Sequence, residues 1–178
     1  MTEISALTLD GELWRSAAAV CEPDVPDDAV SRILFARTQC PQNVVFARSS
    51  AAWIWGAFNE MPRRWTITSD SRKRLPTMPN EHFSVCDLKL GESDVVPISS
   101  SLVTTPARTV VDIGRYENEM PEPTVIAVMR ALLEMHDDAR GETRRIIDEV
   151  SQSQHLPYKT KCLERLSRAT SSHPSLTR

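Results

Sequence analysis

The sequence predicts an α+β fold, with a small mixed or antiparallel sheet of about three to four strands flanked by helices and followed by a helical C-terminal part. Alternating apolar and polar residues mark strands in the middle of the chain, as at Trp65 and Ile67. Apolar residues recur at helical spacing on both sides of that region. The chain has 178 residues, 40% hydrophobic and 25% charged, which is typical of a globular domain.

The N-terminal segment, residues 1–42, is predicted to form two short helices. The first spans residues 9–20, where apolar residues recur at helical spacing. Prolines then interrupt the chain, and Asp27 or Asp28 can cap the second helix. The apolar face of this second helix holds Val30, Ile33, Leu34 and Ala36.

The predicted core, residues 43–118, begins with a short helix at residues 51–58, capped by Ser49 or Ser50. This helix is apolar on all sides, and such a helix is normally buried. Two turns are too few for it to be stable without tertiary packing. We therefore expect the N-terminal helices to cover its tryptophans.

Three strands are predicted in this core, at residues 65–69, 82–88 and 94–104. Residues 70–80 are charged and interrupted by prolines, which indicates a loop. The region around Gly91 is a candidate hairpin connection between the second and third strands.

A strand-to-helix junction follows at Thr105 and Pro106, where a capping threonine precedes a proline at the first helical position. The resulting helix is expected to pack back onto the sheet. Arg108 and Asp112 are four residues apart on it and can form an ion pair, for which we favour a structural role.

Residues 119–169 are predicted to be helices that pack on the core. The first is amphipathic, the second is shorter and carries Ile146 and Val150, and the last begins near Pro157. Residues 170–178 are predicted to be a flexible tail. The apolar face of the first helix holds Val125, Val128, Met129, Leu132 and Leu133.

Charge and targeting signals indicate a cytoplasmic protein without a membrane partner. The net charge is −3, and the first 60 residues carry four basic and eight acidic side chains. No signal peptide is visible, and no apolar run approaches the ~20 residues that span a bilayer. The four cysteines are isolated in sequence, which favours reduced and mostly buried thiols.

No catalytic, cofactor or metal site is predicted, and we expect the protein not to be an enzyme. The sequence contains no phosphate-binding glycine loop and no nucleophile elbow, and its histidines are scattered. One weak match to a nuclease pattern remains, since Asp87 and Lys89 flank a leucine at the end of a predicted strand. A degenerate nuclease-related protein is therefore kept as an alternative.

Basic residues cluster around the first predicted strand. Because they lie at both ends of one strand, they are predicted to bind nucleic acid through its phosphates. These residues are Arg63, Arg64, Arg72, Lys73 and Arg74.

A second basic group lies on the last helix. Lys161, Arg165 and Arg168 share one helical face, with Lys159 nearby. Such a stripe can neutralise phosphates, but it is also typical of a solvated helix face.

Two segments together resemble the AbiEi-type antitoxin family of type IV toxin–antitoxin systems. Residues 50–56, Ser-Ala-Ala-Trp-Ile-Trp-Gly, resemble that family's Ser-Ala-Ala-x-x-x-Gly helix. Residues 104–112, Thr-Thr-Pro-Ala-Arg-Thr-Val-Val-Asp, resemble its Thr-x-Pro-x-Arg-Thr-x-x-Asp junction. The family often has Ser-His before the first motif, where this chain has Ala47 and Arg48.

The resemblance implies the C-terminal antitoxin domain of that family, here without a complete winged helix. It implies a nucleotidyltransferase-like toxin as partner, and DNA as a second ligand. We expect an antitoxin-like or transcription-regulatory binding module that is not catalytic. A DNA-binding transcriptional regulator without a toxin partner is the main alternative.

Overall fold

The computed structural model describes residues 14–15, 20–21, 26–69, 81–135 and 140–171. The chain forms two compact units, Met1–Thr105 and Pro106–Arg178. The first unit holds the described strands and the second holds only helices among its described residues. The predicted α+β class is therefore confirmed.

The described part of the N-terminal segment corrects one predicted helix. Strands β1 (Trp14–Arg15) and β2 (Val20–Cys21) pair antiparallel, with Trp14 opposite Cys21 and Arg15 opposite Val20. The prediction of a helix over residues 9–20 is thus wrong at these positions. A short apolar run does not by itself distinguish a helix from a strand, and pairing with a second segment decides the outcome.

Helix α1 (Ala29–Thr38) forms where the second helix was predicted. Asp28 caps it, because its carboxylate accepts a hydrogen bond of 2.8 Å from the Ser31 amide, and this bond lowers the pKa of Asp28. Ile33 and Ala36 are buried, as expected. The other two members of the predicted apolar face, Val30 and Leu34, are each 45% exposed, so the buried stripe is narrower than predicted.

The sheet of the first unit has five strands rather than three to four. Its order is β5-β4-β3-β7-β6, and it is mixed, because β3 runs parallel to β7 and antiparallel to β4. In chain order the strands are β3 (Val44–Phe46), β4 (Trp65–Ser69), β5 (Phe83–Val85), β6 (Val95–Ile98) and β7 (Ser101–Thr104).

Strand β4 has the predicted bounds, but two other strand predictions need correction. The predicted strand at residues 94–104 is two antiparallel strands, because the chain reverses at Ser99, which has a φ of +53°. A 3-10 helix (Glu92–Asp94) precedes this hairpin. The proposed hairpin through Gly91 does not form, since β5 and β6 lie at opposite edges of the sheet.

Aromatic packing holds the core of the first unit together. Helix α2 (Arg48–Ile54) contacts the sheet and α1, and its Trp53 meets Trp65 edge to face at a ring separation of 5.3 Å. Phe35 of α1 lies 6.4 Å from the Trp53 ring. The expected cover over this helix is therefore supplied by α1.

A buried arginine connects α1 to α2. Arg32 donates two hydrogen bonds, of 2.8 and 2.9 Å, to the Asp27 carboxylate and one of 2.7 Å to the Trp53 carbonyl. Because a helix C-terminus leaves carbonyl groups without intrahelical partners, this contact stabilises the end of α2 as well as the packing of the two helices.

The second unit contains four described helices: α3 (Pro106–Tyr116), α4 (Glu122–Glu134), α5 (Arg140–Gln152) and α6 (Lys159–Thr170). Helix α3 begins at Pro106, as predicted. The predicted domain division grouped residues 106–118 with the core, whereas α3 packs against α4 and α6 within this unit.

The packing in the second unit is tight. The whole predicted apolar face of α4 is buried. Gly114 of α3 lies so close to α6 that a Cβ there would be 2.8 Å from the Cys162 sulfur. This glycine is therefore required by the close approach of two helices.

Candidate interaction surface

Two of the predicted nucleic-acid-binding residues lie at one end of the sheet. Arg63 and Arg64 are exposed and directly precede β4, which begins at Trp65. Arg64 donates a hydrogen bond of 3.2 Å to the Phe83 carbonyl of β5. The other three predicted residues, Arg72, Lys73 and Arg74, lie outside the described residues.

In the sequence, the predicted basic residues lie on both sides of β4. Arg64 directly precedes Trp65, the first residue of this strand, and Ser69 is its last residue. Four residue steps along a strand span about 13 Å. The chain therefore enters β4 beside Arg64 and leaves it about 13 Å away.

The first family-like motif docks onto the start of β4. The Ser50 hydroxyl accepts a hydrogen bond of 2.7 Å from the Thr66 amide, and the Ala47 amide donates one of 3.0 Å to the Thr66 carbonyl. Ser49 and Thr66 bring their hydroxyl groups to 3.4 Å. Helix α2 has Ala47 at its N-cap without a side-chain cap, so the predicted capping by Ser49 or Ser50 is wrong, and Ser50 instead fixes β4.

The remaining residues of this motif have structural roles. Ala51 and Ala52 are completely buried, and their small side chains allow α2 to approach its neighbours closely. Gly56 has a φ of +81° and directly follows the helix C-cap, where its amide donates to the Trp53 carbonyl. The next amide, of Ala57, donates to the Ala52 carbonyl, which completes a Schellman motif.

A hydrogen bond joins the two family-like motifs. The indole nitrogen of Trp55, in the first motif, donates to the carbonyl of Thr104, in the second, over 2.9 Å. The two residues are 49 positions apart in the chain. Because Thr104 is the last residue of β7, this bond fixes the end of α2 beside the point where the chain leaves the sheet.

The rest of the second motif forms a buried ion pair. The Arg108 Nε atom lies 2.8 Å from the Asp112 carboxylate, which is 0% exposed. Arg115 approaches the same carboxylate at 3.7 Å. The predicted pairing of Arg108 with Asp112 is confirmed, and all three residues belong to α3.

Arg48 was not among the predicted site residues. It is the first residue of α2 and has a φ of +50°, which is uncommon for a residue with a side chain. The Ala47 amide is hydrogen-bonded to the Thr66 carbonyl near the start of β4. Arg48 therefore lies at the same end of the sheet as Arg63 and Arg64. We name these three arginines the arginine edge, and no local pattern in the sequence indicates that Arg48 belongs to it.

The second basic group is not uniformly solvated, because its members bind other groups of the second unit. Arg165 is only 4% exposed and donates to the Glu122 carboxylate and to the carbonyls of Ile113, Gly114 and Glu117. Arg168 donates to the Oε1 atom of Glu122 at 2.9 Å, an oxygen that Arg165 also contacts. These contacts hold the pKa of Glu122 below its ordinary value, and the hydrogen bond from Arg165 is the largest cause.

Other basic side chains of the second unit also bind the carbonyls at helix ends. Lys161 donates to the Glu117 carbonyl after α3 at 3.3 Å, and Lys159 donates to the Ser153 carbonyl after α5 at 3.1 Å. Arg130 donates to the Ala169 carbonyl of α6 at 3.0 Å. Cations are favourable at helix C-termini, so these charges stabilise the fold.

The nuclease-like pair is not positioned as that hypothesis requires. Asp87 and Lys89 are exposed and follow β5, which ends at Val85, so neither lies in a strand. Within residues 26–69, 81–135 and 140–171, no group of three or more histidine, cysteine or acidic residues could hold a metal ion.

The cysteines were predicted to be reduced and mostly buried, but of Cys40, Cys86 and Cys162 only Cys162 is buried. Cys40 and Cys162 are free thiols, and the Cys86 sulfur lies 3.4 Å from the Ile67 carbonyl oxygen. Burial raises the pKa of Cys40 to about 12 and that of Cys162 to about 11. Neither thiol therefore has the thiolate character of a reactive cysteine.

Comparison with known proteins gives no assignment. No protein-family model matches the chain, and no curated protein is significantly similar to it in sequence. Among the described helices, none has the length and apolar character needed to cross a membrane.

Proposed function

We propose that the chain is a non-catalytic, antitoxin-like binding module that acts in the cytoplasm through a protein partner. The observation that carries this proposal is the hydrogen bond from Trp55 to Thr104. The two segments that resemble the AbiEi-type family are far apart in the sequence, yet they are joined in the fold. This favours one inherited structural unit over two chance matches.

Ser50, Trp55 and Arg108 of the two motifs bind other groups of the fold, and we place the partner surface at the arginine edge. Arg63 and Arg64 are exposed, and Arg48 is partly exposed. The partner that the resemblance implies is a nucleotidyltransferase-like toxin. Nucleotidyl transfer commonly relies on carboxylates that hold metal ions, and an edge of arginines is complementary to such a site.

Co-purification tests this proposal. The tagged full chain is co-expressed with the product of the adjacent gene, and we expect that product to be retained. Arg63→Glu/Arg64→Glu should release it, while Arg144→Glu, at an exposed position of α5, should not. Absence of the adjacent product from the wild-type eluate would contradict the proposed partner.

A DNA-binding transcriptional regulator is the second candidate function, favoured by the exposure of Arg63 and Arg64. Phosphate contacts would make the affinity fall steeply with salt. A mobility-shift assay with the DNA upstream of the gene should then show a complex at low salt that Arg63→Glu/Arg64→Glu abolishes. If micromolar wild-type protein gives no shift at low salt, this function is excluded.

A further inference from the structure

A cleft of about 240 Å³ opens in the first unit where β3 and β7 begin. The end of α1 forms one wall with Arg37, and the turn between β6 and β7 forms another with Ser100 and Ser101. The segment leading into β3 contributes Gln42 and Asn43, and Phe46 lines the cleft from the sheet. Because β3 and β7 are parallel neighbours, their first residues lie side by side at this end of the sheet.

The lining of the cleft is polar and carries one positive charge. Arg37 is its only charged residue among those described, and amide and hydroxyl groups make up the rest of the polar surface. Arg37 extends from α1 to the hydroxyl of Ser100, so its guanidinium is held across the cleft. A guanidinium has five N–H donors, and this hydrogen bond uses one of its nitrogen atoms.

Two turns beside the cleft contain residues with positive φ. Asn43 has a φ of +59°, a conformation that asparagine tolerates, and Ser99 has a φ of +53°. Ser99 lies in the two-residue turn between β6 and β7, where a positive φ is usual. These turns bring Asn43 and Ser100 to the lining of the cleft.

From this charge, polarity and size we propose that the cleft binds a small anion bearing a phosphate or carboxylate group. Arginine binds planar or tetrahedral oxyanions through paired N–H donors, and hydroxyl and amide groups supply further hydrogen bonds. The volume is below the range of about 300–1,000 Å³ typical of sites for drug-sized ligands, so the ligand is small.

This site is separate from the arginine edge. The cleft lies where β3 begins at Val44, which is paired with Ser69 at the end of β4. Arg63 and Arg64 precede the beginning of β4. Anion binding in the cleft therefore does not depend on the proposed partner.

Titration of the isotopically labelled full chain, followed by amide chemical shifts, tests the proposal. Inorganic phosphate and succinate are the two probes, and sodium chloride at matched ionic strength is the control. We expect saturable shifts at the amides of Asn43, Ser100 and Ser101 in the millimolar range. A response to phosphate alone or to succinate alone supports the site and identifies which oxyanion it takes.

Arg37→Gln should weaken the binding about tenfold, as expected when a charge-assisted contact is lost. Arg63→Gln, which removes an equal charge elsewhere in the same unit, should leave it unchanged. Because Arg37 is exposed, its replacement should not unfold the chain, and the unperturbed spectrum verifies this. Shifts that do not saturate, that chloride reproduces, or that persist in Arg37→Gln would overturn the proposal.

Discussion

At the scale of single residues, most of the described arginines of the second unit make contacts that stabilise the fold. Arg165 is the clearest case, because its guanidinium binds one carboxylate and three main-chain carbonyls. Helical spacing correctly placed Arg165 on one face with Lys161 and Arg168. It could not show that the end of α3 and Glu122 lie against that face, since those partners are 43 or more positions away in the chain.

Arg165→Ala should lower the free energy of unfolding by about 3 kcal/mol, because it removes a buried side chain that pairs with the partly exposed Glu122 and donates to three carbonyls at the end of α3. Arg168→Ala is the matched control. Arg168 binds the same carboxylate but is 55% exposed, so its loss should cost less than about 1 kcal/mol. Urea denaturation measures both, and equal effects would contradict the structural role of Arg165.

The lowered pKa of Glu122 gives a pH dependence with a defined sign. A carboxylate whose folded pKa is depressed contributes stability above its ordinary value of 4.5, and this contribution is lost as the pH falls through the folded pKa. Glu122→Gln should therefore reduce the loss of stability below pH 4.5. Denaturation at a series of pH values tests this, and identical slopes for the two proteins would refute it. Asp28 has a lowered pKa as well, so some acid sensitivity should remain.

At the scale of secondary-structure elements, two helix starts were predicted correctly from local signals, whereas the predicted helix over residues 9–20 and the predicted serine cap of α2 were wrong. Asp28 capped α1 and Pro106 began α3, because capping depends on residues within one turn. Strands were harder to predict. Strand β3 has only three residues, and its position depends on β4 and β7, which are distant in sequence.

Gly114→Ala should lower the free energy of unfolding by about 1–2 kcal/mol. The added methyl group would meet the Cys162 sulfur at 2.8 Å, and overpacking outweighs the gain in helix propensity. Cys162→Ala removes that sulfur, so the double variant should be more stable than the sum of the single effects predicts. A double-mutant cycle by thermal or urea denaturation measures this coupling. An additive result would contradict the close approach of α3 and α6.

Trp55→Phe should destabilise the first unit by about 1 kcal/mol, since it removes the hydrogen bond to the Thr104 carbonyl while retaining an aromatic ring. Tyr158→Phe, at a residue that is 63% exposed, should have little effect. Amide exchange at β7 should also increase in the Trp55 variant. Unchanged stability and exchange would show that this bond does not hold the two motifs together.

At the scale of the whole molecule, composition and periodicity predicted the fold class, but not the number of strands or their order. The order depends on contacts between distant segments, such as the parallel pairing of Phe46 with Val103. The arginine edge was likewise predicted only in part. Arg63 and Arg64 were predicted as site residues because they cluster in the sequence, whereas Arg48 lies beside them only because β3 pairs with β4.

The central claim is that the arginine edge binds the protein partner, and calorimetric titration tests it most directly. The purified chain is titrated with the product of the adjacent gene, which is the proposed partner. We predict saturable binding that Arg63→Ala/Arg64→Ala weakens at least about tenfold and that Arg144→Ala leaves unchanged. No binding by the wild-type chain, or an affinity that the double variant retains, would contradict the account.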